Sequence, residues 1–524
     1  MSGLIGDNRH KPDAPLKRKR SWPTTLPRDV IAGVSVALVI MPQSLAYAEL
    51  AGVPPVVGLY ASALPLVFAA LVASSPYLQT GPVAITALLT FSAASAIATP
   101  GSPQYVVLVL GLALIVGVVR ILLGLVRAGW LAYLMSAPML LGFVPAAAIL
   151  IASSQFAKAL GTSPPKARND ISAAAWSLVH PNLWSIPALL LSLLTAVLIL
   201  GGRRLHPVFP GVLVASGLGI AASVFGWYSG PTIESIPAGF PPITIGDIPW
   251  DRLPELVVPG VVIALIGFSE AASISRRFAS EDRTQWNANR ELVGQGLANV
   301  AAAMTGGMPC GGSFSRSSLN RMAGAVTRLS GAVTGLVVLV ALPFVAIFEP
   351  LPYAVLGAIV IVAVVGLIRM GPLLRLWRVS VPQAVIAWGT FVATLLLAPR
   401  LDIAVFIGIG LSIAVFLWRS LQLEIDVDYV ERALTFTPRG VLWFGTAQRL
   451  DAILLDSLAA HPDADRMVIN LARLGRIDTT GALVLRSMLD QARQAGLEAM
   501  VTGVPPQSQA LADRVLKPEK DPLG

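Results

Sequence analysis

The sequence has one cysteine, Cys310, four histidines and few charges. A single thiol excludes an intramolecular disulfide and implies no structural dependence on an oxidising compartment. The histidines (His10, His180, His206 and His461) are scattered. No Walker loop, metal-spaced His/Cys cluster or Ser-His-Asp set is present, so no metal, cofactor or enzymatic chemistry is expected. Charged residues make up 13% of the chain, against about 25% in soluble domains. Most of the chain must therefore face lipid. It opens on a polar, basic stretch, "NRHKPDAPLKRKR", with no short apolar run ending in a cleavage site, so no cleavable signal is expected. The net charge of +9 would suit nucleic acid, but lysines and arginines that orient membrane spans account for it better. No nucleic-acid partner is expected.

What the chain has in quantity is hydrophobic sequence: 55% of residues, with a mean hydropathy of +0.72. Runs such as "YVVLVLGLALIVGVVRILLGLV" (105–126) and "IPALLLSLLTAVLILGG" (186–202) are about long enough for a bilayer of ~30 Å. Reading apolar stretches between breakers predicts thirteen spans: 28–50, 56–73, 82–98, 104–126, 134–157, 184–201, 208–225, 255–275, 288–304, 328–347, 352–369, 382–398 and 401–419. A half-polar piece, 313–325, is the doubtful fourteenth. Counting it places Arg127, Arg203, Arg204, Arg276, Arg277, Arg283, Arg328, Arg369, Arg375 and Arg378 in inside loops, leaving Lys166, Arg168, Arg252 and Arg400 outside. The positive-inside rule thus favours fourteen spans and places both termini in the cytoplasm.

After Arg419 the pattern changes. "LEIDVDYVERALTFTPRGVLWFGTAQRL" alternates like short strands, and "DTTGALVLRSMLDQARQAG" reads as a capped amphipathic helix ended by glycine. "MVINL" and "EAMVTGV" flank it as buried strands. The division expected is a basic N-terminus (1–27), a transmembrane domain (28–422) and a small cytoplasmic α/β domain (423–524).

One stretch, "LQTGPVAITALLTFSAA" (78–94), begins with helix-breaking Thr-Gly-Pro where an unbroken span would be expected. Two internal matches explain it. "GVSVALVIMPQSLAYAEL" (33–50) pairs with "GVVIALIGFSEAASISRR" (260–277) at an offset of 227, which sets Gln43 opposite Glu270. "TGPVAITAL" (80–88) pairs with "GGSFSRSSL" (311–319) at an offset of 231, which sets Gly81 opposite Gly312. Seven spans separate the partners, an odd number, so the halves run through the membrane in opposite senses. Two helices entering from opposite faces would begin near the midplane, N-termini facing. Free N–H groups and positive dipole ends then make an anion site. A proline kink with small lipid-facing residues is the plainer alternative, but it leaves Arg316 in the partner segment at a high cost and without a role.

These residues resemble the SulP family of anion permeases, solute carrier family 26. The resemblance rests on "DVIAGVSVALVIMPQSLAYAELAGVPPVVGLYAS" (29–62), "TGPVAI" (80–85), "GFSEAASISRRFA" (267–279), "GGSFSRSSLNRMAG" (311–324) and "VINLARLGRIDTTG" (468–481). The tail resembles a STAS domain. The resemblance implies fourteen spans in two inverted seven-span repeats, with a core domain that carries substrate between the third and tenth helices and slides against a gate domain, within a homodimer. Carried over by motif, Gln43 and Tyr47 line the pocket. Val83 and Ala84 offer backbone amides from one half-helix, and Phe314, Ser315 and Arg316 from the other. Val83 stands where some relatives carry an aromatic, which counts against a tight monovalent-anion pocket.

Each candidate has a plainer alternative. Arg316 could snorkel, and Gln43 and Tyr47, four apart on one helix face, could join helices. Glu270 could be a structural carboxylate; functionally, it binds a proton on one side of the membrane and releases it on the other. The resemblance supports the latter, since members with "SEA" here are typically proton-coupled. Asp478, Thr479 and Thr480 occupy the place phosphorylated in antagonist relatives, although Asp478 or Thr479 also suits a helix cap. The reading is a secondary active, proton-coupled importer of sulfate or a similar small oxyanion in the cell (inner) membrane. A bicarbonate or dicarboxylate transporter, a channel or sensor, and a nucleobase permease are the alternatives.

Overall fold

The computed structural model describes residues 22–130, 135–165, 169–206, 208–233 and 235–516. Most of the expected basic N-terminus, together with Lys166 and Arg168, lies outside the described residues. The apolar runs form helices α1 (Trp22–Leu50), α2 (Pro55–Tyr60), α3 (Leu64–Val72), α4 (Ala84–Ser95), α5 (Pro103–Leu125), α6 (Ala137–Leu160), α7 (Asp170–Val179), α8 (Ile186–Leu205) and α9 (Gly211–Val224). The second half continues with α10 (Leu253–Glu281), α11 (Ala288–Met304), α12 (Phe314–Met322), α13 (Leu329–Ala341), α14 (Tyr353–Val365), α15 (Met370–Val379), α16 (Val381–Leu396) and α17 (Leu401–Ser420). Local chemistry sets several boundaries. α5 and α6 start at Ser102 and Ser136, whose hydroxyls accept from the amides of Tyr105 and Met139, with a proline early in each first turn. α6 stops at Gly161, which takes the left-handed conformation a helix end favours.

Among the described residues, eight segments are long and apolar enough to cross a membrane, and four shorter helices (α4, α8, α9 and α16) are apolar throughout. With α11 and α12, every one of the fourteen expected spans has a helix. Two further helices, α7 and α15, lie between the expected spans. α7 is opened by a reciprocal cap between Asn169 and Ser172. α15 exposes Leu374, Trp377 and Val379 beside Arg375 and Arg378, the pattern of a helix lying along a membrane surface.

The helices pack in two groups. α1, α3, α5 and α10–α13 contact one another, and α6, α8, α9 and α14–α16 form the second set. α1 and α4 reach across to α6, α9 and α14. Few polar contacts bridge the groups: Lys158 in α6 pairs with Glu49 in α1 at 2.7 Å. Ser92 in α4 donates to the carbonyl of Pro399 and accepts from the amide of Leu401.

The remainder of the chain is a second compact unit, from Gly410 onward. Beyond α17 it folds as an α/β domain. After the two short strands of the helical part, β1 (Thr80–Gly81) and β2 (Gly311–Gly312), come β3 (Glu424–Val430) and β4 (Ala433–Leu442), which form a hairpin turned by Glu431 and Arg432, both at positive φ. β5 (Arg466–Asn470) and β6 (Leu474–Ile477) each run parallel to β4, and β7 (Glu498–Thr502) is parallel to β5. Helices α18 (Phe444–Ala460), α19 (Thr479–Gln494) and α20 (Gln509–Val515) accompany the sheet. The hydrophobic core includes Leu434, Phe436, Met467, Ile469, Leu485 and Leu489. "MVINL", the capped helix and "EAMVTGV" are thus β5, α19 and β7.

Candidate functional site

α4 has 12 residues and α12 has 9, lengths of about 18 and 14 Å at ~1.5 Å per residue. Each covers only about half of a bilayer core of ~30 Å. Both are preceded by a two-residue strand, β1 (Thr80–Gly81) and β2 (Gly311–Gly312), and the strands pair antiparallel. The register is Thr80 with Gly312 and Gly81 with Gly311. Exchanging each residue for the one 231 positions away maps the first pair onto the second, which is what a two-fold relation between halves requires. α1 and α10, each 29 residues long, also start and end at that offset. The alternative offset of 227 is one helical turn away, so it preserves the helix face while misaligning height; at 231, Gln43 is level with Ile274 and Glu270 with Val39.

The heads of the half-helices are stitched further. The Ser313 amide donates to the Gln79 carbonyl at 3.0 Å, and the Gln79 amide donates to Ser317 Oγ at 2.9 Å. At the head of α4, Val83 is extended and no side chain caps the helix, which leaves first-turn N–H groups for a ligand. At the head of α12, Ser313 Oγ accepts from the Arg316 amide only at 3.4 Å.

Arg316 is 1% exposed. Its Nη2 donates to the Pro82 carbonyl at 2.8 Å, its Nη1 reaches Gln43 Oε1 at 3.4 Å, and its buried Nε has no partner among the described residues. Among the described residues, both of its hydrogen-bond acceptors are neutral. Glu270 and Tyr47 are near enough to interact with it electrostatically. Glu270 is half-buried on α10, and no hydrogen bond or ion pair fixes it among the described residues.

A cavity of about 310 Å³ opens beside this guanidinium, within the volume range of small-ligand sites. α1 contributes Val39 and Gln43; α12 contributes Phe314, Ser315, Arg316 and Leu319; and the opposite wall is Ile199, Phe209, Gly211 and Val212 from α8, α9 and their connection. It therefore lies between the two helix groups. Phe314 stacks parallel to Phe278 with centroids 6.4 Å apart, and the Arg277 guanidinium carbon is 5.1 Å from its ring centre.

The structure thus brings four of the expected residues, Gln43, Phe314, Ser315 and Arg316, into one cavity. Tyr47, Val83, Ala84 and Glu270 are not among its lining residues. Thr479 is exposed at the head of α19, where Asp478 accepts from the Gly481 amide at 2.7 Å and caps the helix. Sequence reasoning missed the α8–α9 wall, whose apolar residues carry no signal in a hydrophobic chain. It also missed Arg120, a fully buried arginine in α5. That one was findable: it is the sole charge in the run 105–126.

Two half-helices thus begin around a buried guanidinium, between two packed helix groups, in a chain with eight segments long and apolar enough to cross a membrane among its described residues. The profile of the sulfate permease family matches residues 26–390, and that of the STAS domain matches residues 424–516. The chain belongs to the sulfate permease family, with a C-terminal STAS domain. Chloroplastic sulfate transporter 4.1 of Arabidopsis thaliana is 31% identical over 423 residues, covering 78% of this chain and 61% of that protein. A probable sulfate transporter of Mycobacterium tuberculosis H37Rv is 33% identical over 402 residues, covering 76% and 70%. The chain thus spans about three fifths of the plant relative's length. Murine Slc26a9, an anion transporter solved in the inward-facing state, superposes with a TM-score of 0.85 at 18% identity, covering 95% of this chain and 88% of that one. The transmembrane domain of the cyanobacterial bicarbonate transporter BicA matches with a TM-score of 0.64 at 26% identity, covering 74% and 97%.

Proposed function

We propose that the chain is a secondary active transporter that imports sulfate or a similar small oxyanion together with protons. One observation carries this reading: the guanidinium of Arg316 is buried, bonded among the described residues only to neutral acceptors, and set where two half-helices begin. Its charge and the uncapped amides of α4 are then available to an oxyanion, which needs several donors at once. Val83, Ala84, Phe314, Ser315 and Arg316 supply those donors, Gln43 and Tyr47 shape the pocket, and Glu270 carries the coupling proton. The position of the cavity between two helix groups supports elevator-type alternating access, in which the group bearing Arg316 slides past the α8–α9 wall. Such movement breaks the Lys158–Glu49 pair and the Ser92 contacts in each cycle.

Sulfate is favoured by relatives named as sulfate transporters, and bicarbonate is the second reading because of the likeness to BicA. We place the protein in the cell (inner) membrane as a homodimer with both termini in the cytoplasm, the STAS domain serving regulation or assembly. Labelled-sulfate uptake into proteoliposomes, with and without an inward proton gradient, tests the reading. Competition by bicarbonate, fumarate and uracil ranks the substrates. Gradient-independent conductance far above carrier rates would instead mark a channel.

A further inference from the structure

Arg120 takes no part in the site described above. It lies in α5, is 0% exposed, and no carboxylate pairs with it among the described residues. A charge placed so in a membrane span is costly and implies a task. Its guanidinium is spent on three main-chain carbonyls. Nε donates to Ala264 at 3.1 Å and Nη2 to Ile263 at 3.4 Å, both in α10. Nη1 donates to Cys310 at 2.8 Å, one residue before β2.

The seat is cut to fit. A methyl at Gly267, in the next turn of α10, would collide with Nη2 of Arg120. The same methyl would lie 3.5 Å from Thr86 Oγ1, a buried hydroxyl in α4 without a hydrogen-bond partner among the described residues. The fork therefore sits where α4, α5, α10 and β2 converge. Glu270 follows Gly267 by three residues, and Gly311, which follows Cys310, pairs with Gly81.

We propose that Arg120 is a positioning residue for anion transport: its three-carbonyl fork fixes the Glu270-bearing stretch of α10 against the β1–β2 ladder and thus against the head of α12. Packing already sets the register of two helices through interdigitated side chains. A planar fork with one donor on each carbonyl adds directional fixed points to it, and a lysine, with a single rotatable ammonium, does not. The proposal rests on the transporter reading, since its consequence is the spacing between the proton group and the anion site.

The test uses full-length protein in proteoliposomes, with Arg120→Lys, Arg120→Met and Gly267→Ala, each checked for folding by thermal melting. Sulfate uptake should fall by about 10-fold or more in each folded variant, within the ~100-fold that misplacing a site by an ångström can cost. Uptake should also depend less steeply on external pH. The Arg120→Met/Gly267→Ala double variant should be no worse than Arg120→Met alone, because both changes remove one interaction. Wild-type uptake and pH profile in Arg120→Lys, or additive losses in the double variant, overturn the proposal. Should the Arg120 variants not fold, Gly267→Ala decides, and normal uptake by it is equally fatal. If the wild-type chain takes up no anion, the transporter reading fails with the tether; normal wild-type uptake with unaffected variants defeats the tether alone.

Discussion

Arg316 belongs to the second half of the repeat, yet it donates at 2.8 Å to the carbonyl of Pro82, in the first. The two breaks are therefore held by one side chain as well as by the ladder between them. Because Pro82 and Gln43 are neutral, the bonds orient the guanidinium without neutralising it.

Replacing Arg316 by alanine should weaken anion binding by about 1–3 kcal/mol, the worth of a charge-assisted hydrogen bond from a desolvated site. Calorimetry on folded, detergent-solubilised protein would measure it. An unchanged sulfate Kd removes Arg316 from the site.

Gly81 has φ +151°, and a methyl there would meet Ile40 Cδ1 at 3.0 Å and Arg316 Nη2 at 3.4 Å. Gly81→Ala should cost about 1–3 kcal/mol in backbone strain and displace the guanidinium. We expect a lower melting temperature together with a weaker sulfate Kd. A stable variant with wild-type affinity would show that the ladder tolerates a side chain.

Glu270 and a bound anion repel each other when the carboxyl is ionised and not when it is protonated. Protonation and binding should therefore favour one another by about 1–3 kcal/mol, reciprocally. Affinity should rise as pH falls and then level off. Glu270→Gln imitates the protonated form, so it should bind with little pH dependence and keep anion-for-anion exchange. It should lose accumulation driven by a proton gradient. Undiminished accumulation would make Glu270 structural and place the coupling ion elsewhere.

In the STAS domain, Asp478→Ala removes the cap of α19 and should destabilise the domain by about 0.5–2 kcal/mol. Thr479→Ala, at an exposed position, should change stability by less than about 0.5 kcal/mol. Urea unfolding followed by circular dichroism of the domain separates them. Equal losses would shift the capping role to Thr479.

What could be read from the sequence was whatever breaks a hydrophobic pattern. Thr80-Gly81-Pro82 and Gly311-Gly312-Ser313 stand out against apolar neighbours, and their offset of 231 is the one the strand register obeys. Gln43 and Arg316 were visible for the same reason. The α8–α9 wall was not, because Ile199 and Val212 look the same whether they face lipid or a cavity. The one-turn slip between α1 and α10 has a related cause: small apolar residues recur along one face, so a match displaced by a turn scores as well as the true one. α15 escaped because its apolar residues share a short helix with three others that are basic or glycine, which reads as loop. Arg120 was diluted by the apolar residues around it.

The pairing of Gly81 with Gly311 puts the axis of the repeat through the ladder itself. A scaffold with that symmetry has no preferred face: the backbone presented to one side is, after a half-turn, the backbone presented to the other. Directionality then belongs to the side chains that violate the equivalence. At the offset of 231, Arg316 corresponds to Ile85 and Ser313 to Pro82, so the charge sits off the axis and only one half-helix carries a hydroxyl cap. A vectorial preference for one face would thus be written in a handful of unmatched residues, on a frame that is itself reversible.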